Sequence, residues 1–223
     1  DGSDPRSYGG VLNPSANIYA GPITLSAGVY EVKARIKNGS TWSAMCPKKF
    51  YIGQEYGNIR MNEIHYSPED ETINGTLVSG TKFEFIELKN RGTTDVDMTD
   101  VIFDKGVTIF FPDGLIIPAG GFLMLADNAF YFQQKYGFAP DLVWEGKLDN
   151  GGEELRFIGP DKKTIDKVTY DDDFPWDPVP KVGKYSLGCI DIHVTNNISV
   201  NWSKQLVHYT PGAENVFAAN VIP

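Results

Sequence analysis

Cysteine, histidine and positive charge are all scarce in this chain, and each shortage closes off a class of function. Its 223 residues hold two cysteines, Cys46 and Cys189, and three histidines, His65, His193 and His208. The cysteines lie far apart with no metal-ligand spacing around them. Without a framework of paired cysteines, both read as buried or half-buried thiols rather than a disulfide. The histidines occupy separate strand-like stretches without HxH or HExxH spacing, so a zinc site is not expected. Lysine and arginine total 20 against 29 acids, a net charge of −9. No basic stripe is present to hold a polyanion, and nucleic acid is not an expected partner. Long hydrophobic runs are missing as well. The longest, GLIIPAGGFLMLA at 114–126, is broken by Pro118, Gly120 and Gly121 and is too short to cross a bilayer. A P-loop, a GxSxG elbow and a GxGxxG strand–helix unit are all lacking. The chain starts at Asp1 without Met or a signal peptide, and is expected to be a fragment or a mature segment.

What is abundant points the other way. Gly (23), Pro (14) and 13% aromatic residues suit many short strands joined by turns, not a helix bundle. The organising stretch is 58–90, NIRMNEIHYSPEDETINGTLVSGTKFEFIELKN. It predicts strands at 59–66 and 82–90, the second dense enough in Phe83, Phe85, Ile86 and Leu88 to lie near a sheet centre. A polar loop at 68–80 joins them. Upstream, Tyr30, Val32, Ala34 and Ile36 alternate with Glu31, Lys33, Arg35 and Lys37, the pattern of a strand with one wet face. Further extended pieces are expected at 22–25, 41–42 and 49–52. Downstream they are expected at 96–98, 107–111, 115–118, 122–126, 143–145, 153–158, 164–170, 185–190 and 207–209. One helix is predicted, capped by Asp127 or Asn128 and ended by Gly137.

Two resemblances organise this pattern. DGSDPR, IYAGPITL, VYEVKARI and TWSA, within 1–52, resemble the small immunoglobulin-like repeat related to the C-terminal domain of chitobiases. In that repeat DGSDP closes a hairpin whose first strand lies upstream, so a truncated sandwich is expected, packing on the next domain or on another chain. MNEIHY, KFEFIELKN, GLIIPAGGFLMLADN, FYFQQKYG, LDNGGEELRFIGPD, TIDKVTYDD, PW, NWS and YTPGAEN follow in the order found in bacterial lamin-tail domains, over about 59–216. The expected fold is therefore all-β, an immunoglobulin-like β-sandwich with one short helix, behind a truncated β-sandwich module. The expected divisions are 1–57, 58–217 and a tail at 218–223.

Residues able to carry chemistry are few. Glu84 and Glu87 are three apart on a strand, point to opposite faces, and cannot form one acid/base pair without a bulge. In the family the EFIEL motif is structural, and Asn62, Glu63 and Asn90 take the same role as polar strand ends. Gly151, Gly152, Trp202, Pro211 and Gly212 complete this structural set. Asp171, Asp172 and Asp173 form an acidic loop, a candidate Ca²⁺ site without the alternate spacing of an EF-hand, for which a solvated loop is the plainer account. No other cofactor is expected. Trp176, between prolines, is expected at the surface, and with Trp144 and Tyr170 is a candidate contact for a partner or a sugar. Asn38, Asn74, Asn197 and Asn201 sit in glycan-acceptor triplets, a pattern common by chance.

The resemblances imply a non-catalytic binding, adhesion or targeting module of a larger secreted or surface bacterial protein, meeting a protein or glycan surface. Two alternatives stand beside it. One is a carbohydrate-binding accessory of a glycosidase, or an accessory of a secreted nuclease or phosphoesterase. The other is a hydrolase with Glu63, His65 and Asp172 in one cavity.

Overall fold

The computed structural model describes residues 2–176 and 185–217, so the 218–223 tail lies outside the described residues. The chain divides into two compact units between Gln54 and Glu55.

The first unit is one long antiparallel hairpin with a looped segment ahead of it. Strands β1 (Gly28–Ala34) and β4 (Cys46–Ile52) pair, and β2 (Lys37–Asn38) and β3 (Thr41–Trp42) continue the ladder to a tip at Gly39. The 22–25 stretch forms no strand. The alternation of β1 is genuine, but its faces are inverted. Val32 and Ile36 are exposed while Lys33 and Arg35 are half-buried. The cause lies in the polar partners. Lys33 Nζ donates to Gly2 O at 2.8 Å, and Arg35 grips both Asp4 oxygens at 2.7 Å while its Nη1 donates to Ser43 O. Trp42 Nε1 donates to Gly10 O at 2.7 Å. Cys46 is an exposed free thiol, not a buried one.

The second unit is a two-layer sandwich. In chain order its strands are β5 (Ile59–His65), β6 (Glu71–Ile73), β7 (Thr76–Val78), β8 (Phe85–Asn90), β9 (Val96–Asp97), β10 (Ile102–Lys105), β11 (Ile109–Phe110), β12 (Ile116–Ile117) and β13 (Phe122–Ala126). After helix α1 (Ala129–Tyr136) come β14 (Leu142–Val143), β15 (Gly152–Ile158), β16 (Thr164–Asp171), β17 (Leu187–Cys189) and β18 (Trp202–Lys204). One sheet runs β14-β13-β8-β5-β17-β18 and the other β11-β10-β15-β16, with short ladders β9–β12 and β6–β7 beside them. Ile59, Met61, Ile64, Ile86 and Leu88 from the first sheet meet Phe103, Leu155, Phe157 and Val168 from the second in one buried core. Tyr66 stacks on Tyr170 across it at 4.6 Å. On the outer face of the six-stranded sheet, Phe85, Met124 and Ala126 bury against Phe132 of the helix.

The helix is capped by Asn128, whose side chain accepts from Tyr131 N at 3.1 Å, and stops at Gly137 with φ 87°. Several expected strands shift for local reasons. Gly80–Phe83 is a 3-10 turn, so β8 begins at Phe85. The 68–80 loop carries a hairpin, because Asn74 and Gly75 both take positive φ, the tight-turn chemistry that joins two strands. The 207–209 stretch is not a strand: His208 sits at φ 74°, and the edge strand is Trp202–Lys204 instead. The strand at Ile102–Lys105 was not anticipated, being short and shifted in register at Phe103.

Candidate functional site

Strand β5 sets the polar geometry of the second unit. Its pairing with β8 slips between Met61 and Glu63, leaving Asn62 as a bulge. The extra residue reverses the side-chain phase. Ile59 and Met61 enter the core before it, Ile64 and Tyr66 after it. Glu63 thereby lands opposite Glu87 of β8, so two fully buried carboxyl groups are neighbours across the ladder.

Both carboxyls hold the chain's own 205–216 segment. Glu63 accepts from Thr210 N and Thr210 Oγ1 at 2.9 Å, and from the Ser186 hydroxyl. Glu87 accepts from Gly212 N and from Asn62 Nδ2, both at 2.6 Å. Asn215 Nδ2 reaches Asn62 O and Cys189 O at 2.9 Å, and Gln205 Nε2 meets Thr210 Oγ1 and Asn215 Oδ1. Burial pushes the Glu63 carboxyl up to about 7 and that of Glu87 up to about 8, the latter raised further by Glu63 beside it. Such a pair has the look of an acid/base dyad, yet its oxygens are taken by the 205–216 strap together with Asn62 and Ser186.

The remaining candidates also resolve into partners. Glu84 precedes β8 and accepts from Leu148 N at 2.8 Å; its carboxyl is pushed up to about 8, chiefly by burial. Asn90 donates to Thr94 O and Ile117 O, while its Oδ1 accepts from Gly92 N. Gly151 N donates to Asp149 Oδ1, and Gly152, at φ 107°, lies where a Cβ would come within 2.6 Å of Tyr170 O. Pro211 precedes Gly212 in the strap. His65 Nδ1 contacts Tyr136 Oη at 3.1 Å, so Glu63 and His65 engage different groups, and Asp172 lies on the loop after β16.

The aromatic candidates are in the interior. Trp176, expected at the surface, is 8% exposed and lies 6.4 Å from the Trp202 ring; Trp144 is 5% exposed and Tyr170 1%. The prolines and acids around Trp176 describe its loop, whose continuation at 177–184 is outside the described residues, whereas the ring itself caps the core. Tyr170 Oη donates to Asp149 O at 2.7 Å. An exposed aromatic platform is therefore not formed by these three. Asp171, Asp172 and Asp173 bring carboxylate oxygens within 4.8 Å of one another, and Asp173 N donates to Asp171 Oδ1. Cys189 is buried and its thiol is pushed up to about 12 by burial.

One surface feature escaped the sequence. Strand β17 covers β5 only at Glu63 and Ile64. At the uncovered start of β5, Met61 N donates to Asp166 Oδ2 and Met61 O accepts from Asn196 Nδ2, both at 2.8 Å. Two side chains thus replace a neighbouring strand. Beside them opens a cleft of about 370 Å³ with Arg60, Arg91, Lys167, His193 and Thr195 on its walls. The hairpin of β5 and β8 builds it, because its register puts Arg60 opposite Lys89 and Ile59 opposite Asn90 and so brings Arg91 alongside.

The second unit is a two-layer, immunoglobulin-like sandwich whose buried acids fasten the 205–216 segment. The family model of the Lamin Tail Domain matches residues 53–172, more than half of the chain, and the chain belongs to that family. No curated protein matches it. Among the described residues no helix is long and apolar enough to cross a membrane.

Proposed function

We propose that the chain is a non-catalytic recognition or tethering module, carried by a larger secreted or surface bacterial protein and meeting a protein or glycan surface. The observation that carries this reading is the use of Glu63 and Glu87. Glu63 is bonded to Thr210 and Ser186, and Glu87 to Gly212 and Asn62. Lamin-tail membership supports a module of this kind, although a fold hosts many functions and does not by itself name one. In the same reading the first unit is a chitobiase-like immunoglobulin repeat, a resemblance that rests on its motifs and favours a secreted or surface setting.

The test is direct. Purified chain is expected to co-sediment with bacterial envelope or insoluble glycan fractions and to turn over no ester, glycoside or phosphodiester substrate. Turnover that disappears in Glu87→Gln, with the fold intact, would overturn the reading. So would the absence of retention on every surface tried.

A further inference from the structure

We propose that the cleft beside β5 is an oxyanion-binding site, in which Arg60 and Arg91 together receive one phosphate, sulfate or carboxylate group. The assignment goes beyond the tethering reading and stands whether or not the module tethers anything.

The argument starts from charge. The protein carries −9, yet this cleft sets two guanidinium groups, Arg60 and Arg91, against one lining carboxylate, Asp166, while the Lys167 ammonium pairs with Glu154 at 3.6 Å. The Asp166 carboxyl is nearly buried, and its Oδ2 is taken by Met61 N and Asn196 Nδ2. Among the described residues neither guanidinium pairs with a carboxylate. Arg91 donates to Ile192 O at 2.8 Å and Gly57 O at 3.2 Å, and Arg60 donates from Nη1 to Ile59 O at 3.1 Å and Ile165 O at 3.3 Å. Carbonyls orient a guanidinium but leave its charge standing. Burial first and then the nearby Arg60 charge pull the Arg91 guanidinium below its ordinary range, with the Asp166 and Asp191 carboxylates opposing them.

A structural role accounts for one arginine only. Arg91 fastens the loop at Ile192 to the turn at Gly57. The two Arg60 bonds are a contact to the preceding carbonyl and one long bond, both from a single nitrogen. Its other nitrogens make no hydrogen bond within the described residues. Two adjacent guanidinium groups facing the one lining carboxylate, Asp166, leave a positive charge in excess for an anion to offset, and a guanidinium fork suits two-point recognition of an oxyanion. The far wall is already rigid. Asn201 Nδ2 holds Asp191 O and Thr195 O, and Trp202 Nε1 donates to Asn196 O at 2.7 Å. A preformed wall lowers the ordering cost of binding.

The ligand chemistry is a single oxyanion, and its source is a free or esterified phosphate or an acidic sugar. Both are tested by titrating the whole ¹⁵N-labelled chain at low ionic strength with inorganic phosphate, glucuronate and, as the uncharged control, glucose. Saturable shifts are expected at the amides of Lys167, Thr195 and Asn196 with at least one anion and not with glucose, weakening as salt rises. Phosphate alone would mark the phosphate source, glucuronate alone the acidic sugar. Arg60→Gln is expected to weaken binding at least fivefold, and Lys105→Gln, an exposed cation on β10, to leave it unchanged. Should Arg60→Gln lose its dispersed spectrum, Arg60→Lys decides in its place, with at least a twofold loss expected because an ammonium lacks the guanidinium fork. The assignment falls if neither anion gives saturable shifts, if glucose matches the anions, if the deciding Arg60 variant binds as wild type, or if Lys105→Gln weakens binding equally.

Discussion

The two units of this chain solve the same problem, making antiparallel hairpins persist, by opposite means. In the second unit the hairpin of β5 and β8 is sealed between a core on one face and a helix and polar strap on the other. Ile59, Met61, Ile64, Phe85, Ile86, Glu87 and Leu88 are all fully buried. In the first unit the hairpin of β1 and β4 contains no fully buried residue, and among its described residues Tyr8, Ile18, Tyr19, Ile23 and Ile36 are all more than two-thirds exposed. Its order comes from Arg35 on Asp4, Lys33 on Gly2 and Trp42 on Gly10. Burial is cumulative and hard to compete with, whereas surface polar contacts trade closely against water. The comparison teaches that a shared strand pattern does not imply a shared source of stability.

The largest effect should come from separating the units. Residues 55–217 expressed alone are expected to keep dispersed amide resonances and a cooperative melt. Residues 1–54 alone are expected to give a collapsed, undispersed spectrum, because ordering costs about 1.5 kcal/mol per residue and little apolar burial offsets it. A dispersed, cooperatively melting 1–54 fragment would break the comparison outright. Next comes a pair of core tests. Phe157→Ala removes a fully buried ring in stacking contact with Phe103 at 5.1 Å and is expected to cost about 3–5 kcal/mol. Val32→Ala, at a position 37% exposed, is expected to change stability by less than about 0.5 kcal/mol. Chemical denaturation of the two variants measures both.

Much of the sandwich was legible because its signals are local. Strand β13 coincides with the apolar 122–126 run, and the helix ends where Asn128 and Gly137 placed its caps. The partners of Glu87 were not legible, since Gly212 lies far along the chain and meets it only after the sheet forms. The cleft was invisible for the same reason. It needs the bulge at Asn62, the shortness of β17 and the side chains of Asp166 and Asn196, three facts about pairing rather than composition. Trp176 misled because a polar, proline-flanked loop can still send one ring inward. The alternation of β1 gave the strand but not its faces, because the charged row had the nearer partners.

A final prediction sharpens the comparison through pH, where the two units should respond with opposite signs. Glu63 and Glu87 have folded-state values raised from 4.5 to about 7 and about 8, so the folded second unit holds protons more tightly than the unfolded chain. Their contribution is fully present below about pH 4.5 and is lost as pH rises through 7 to 8. Asp4 runs the other way. Its hydrogen bonds from Arg35, and next from the Arg6 amide, lower it from 3.8 to about 2, so its contribution is present above pH 3.8 and is lost as pH falls towards 2. Thermal melts from pH 5 to 8 are expected to show falling stability of the second unit, with a shallower fall in Glu87→Gln, which carries no titrating group there. The Trp42 indole signal, reporting its bond to Gly10, is expected to broaden only on the acid side, and in Asp4→Asn to show no such acid-side change. If the second unit instead keeps its stability unchanged between pH 5 and 8, the buried pair is ionised throughout, and its hydrogen bonds from Thr210, Ser186, Asn62 and Gly212 offset the cost of burying two like charges.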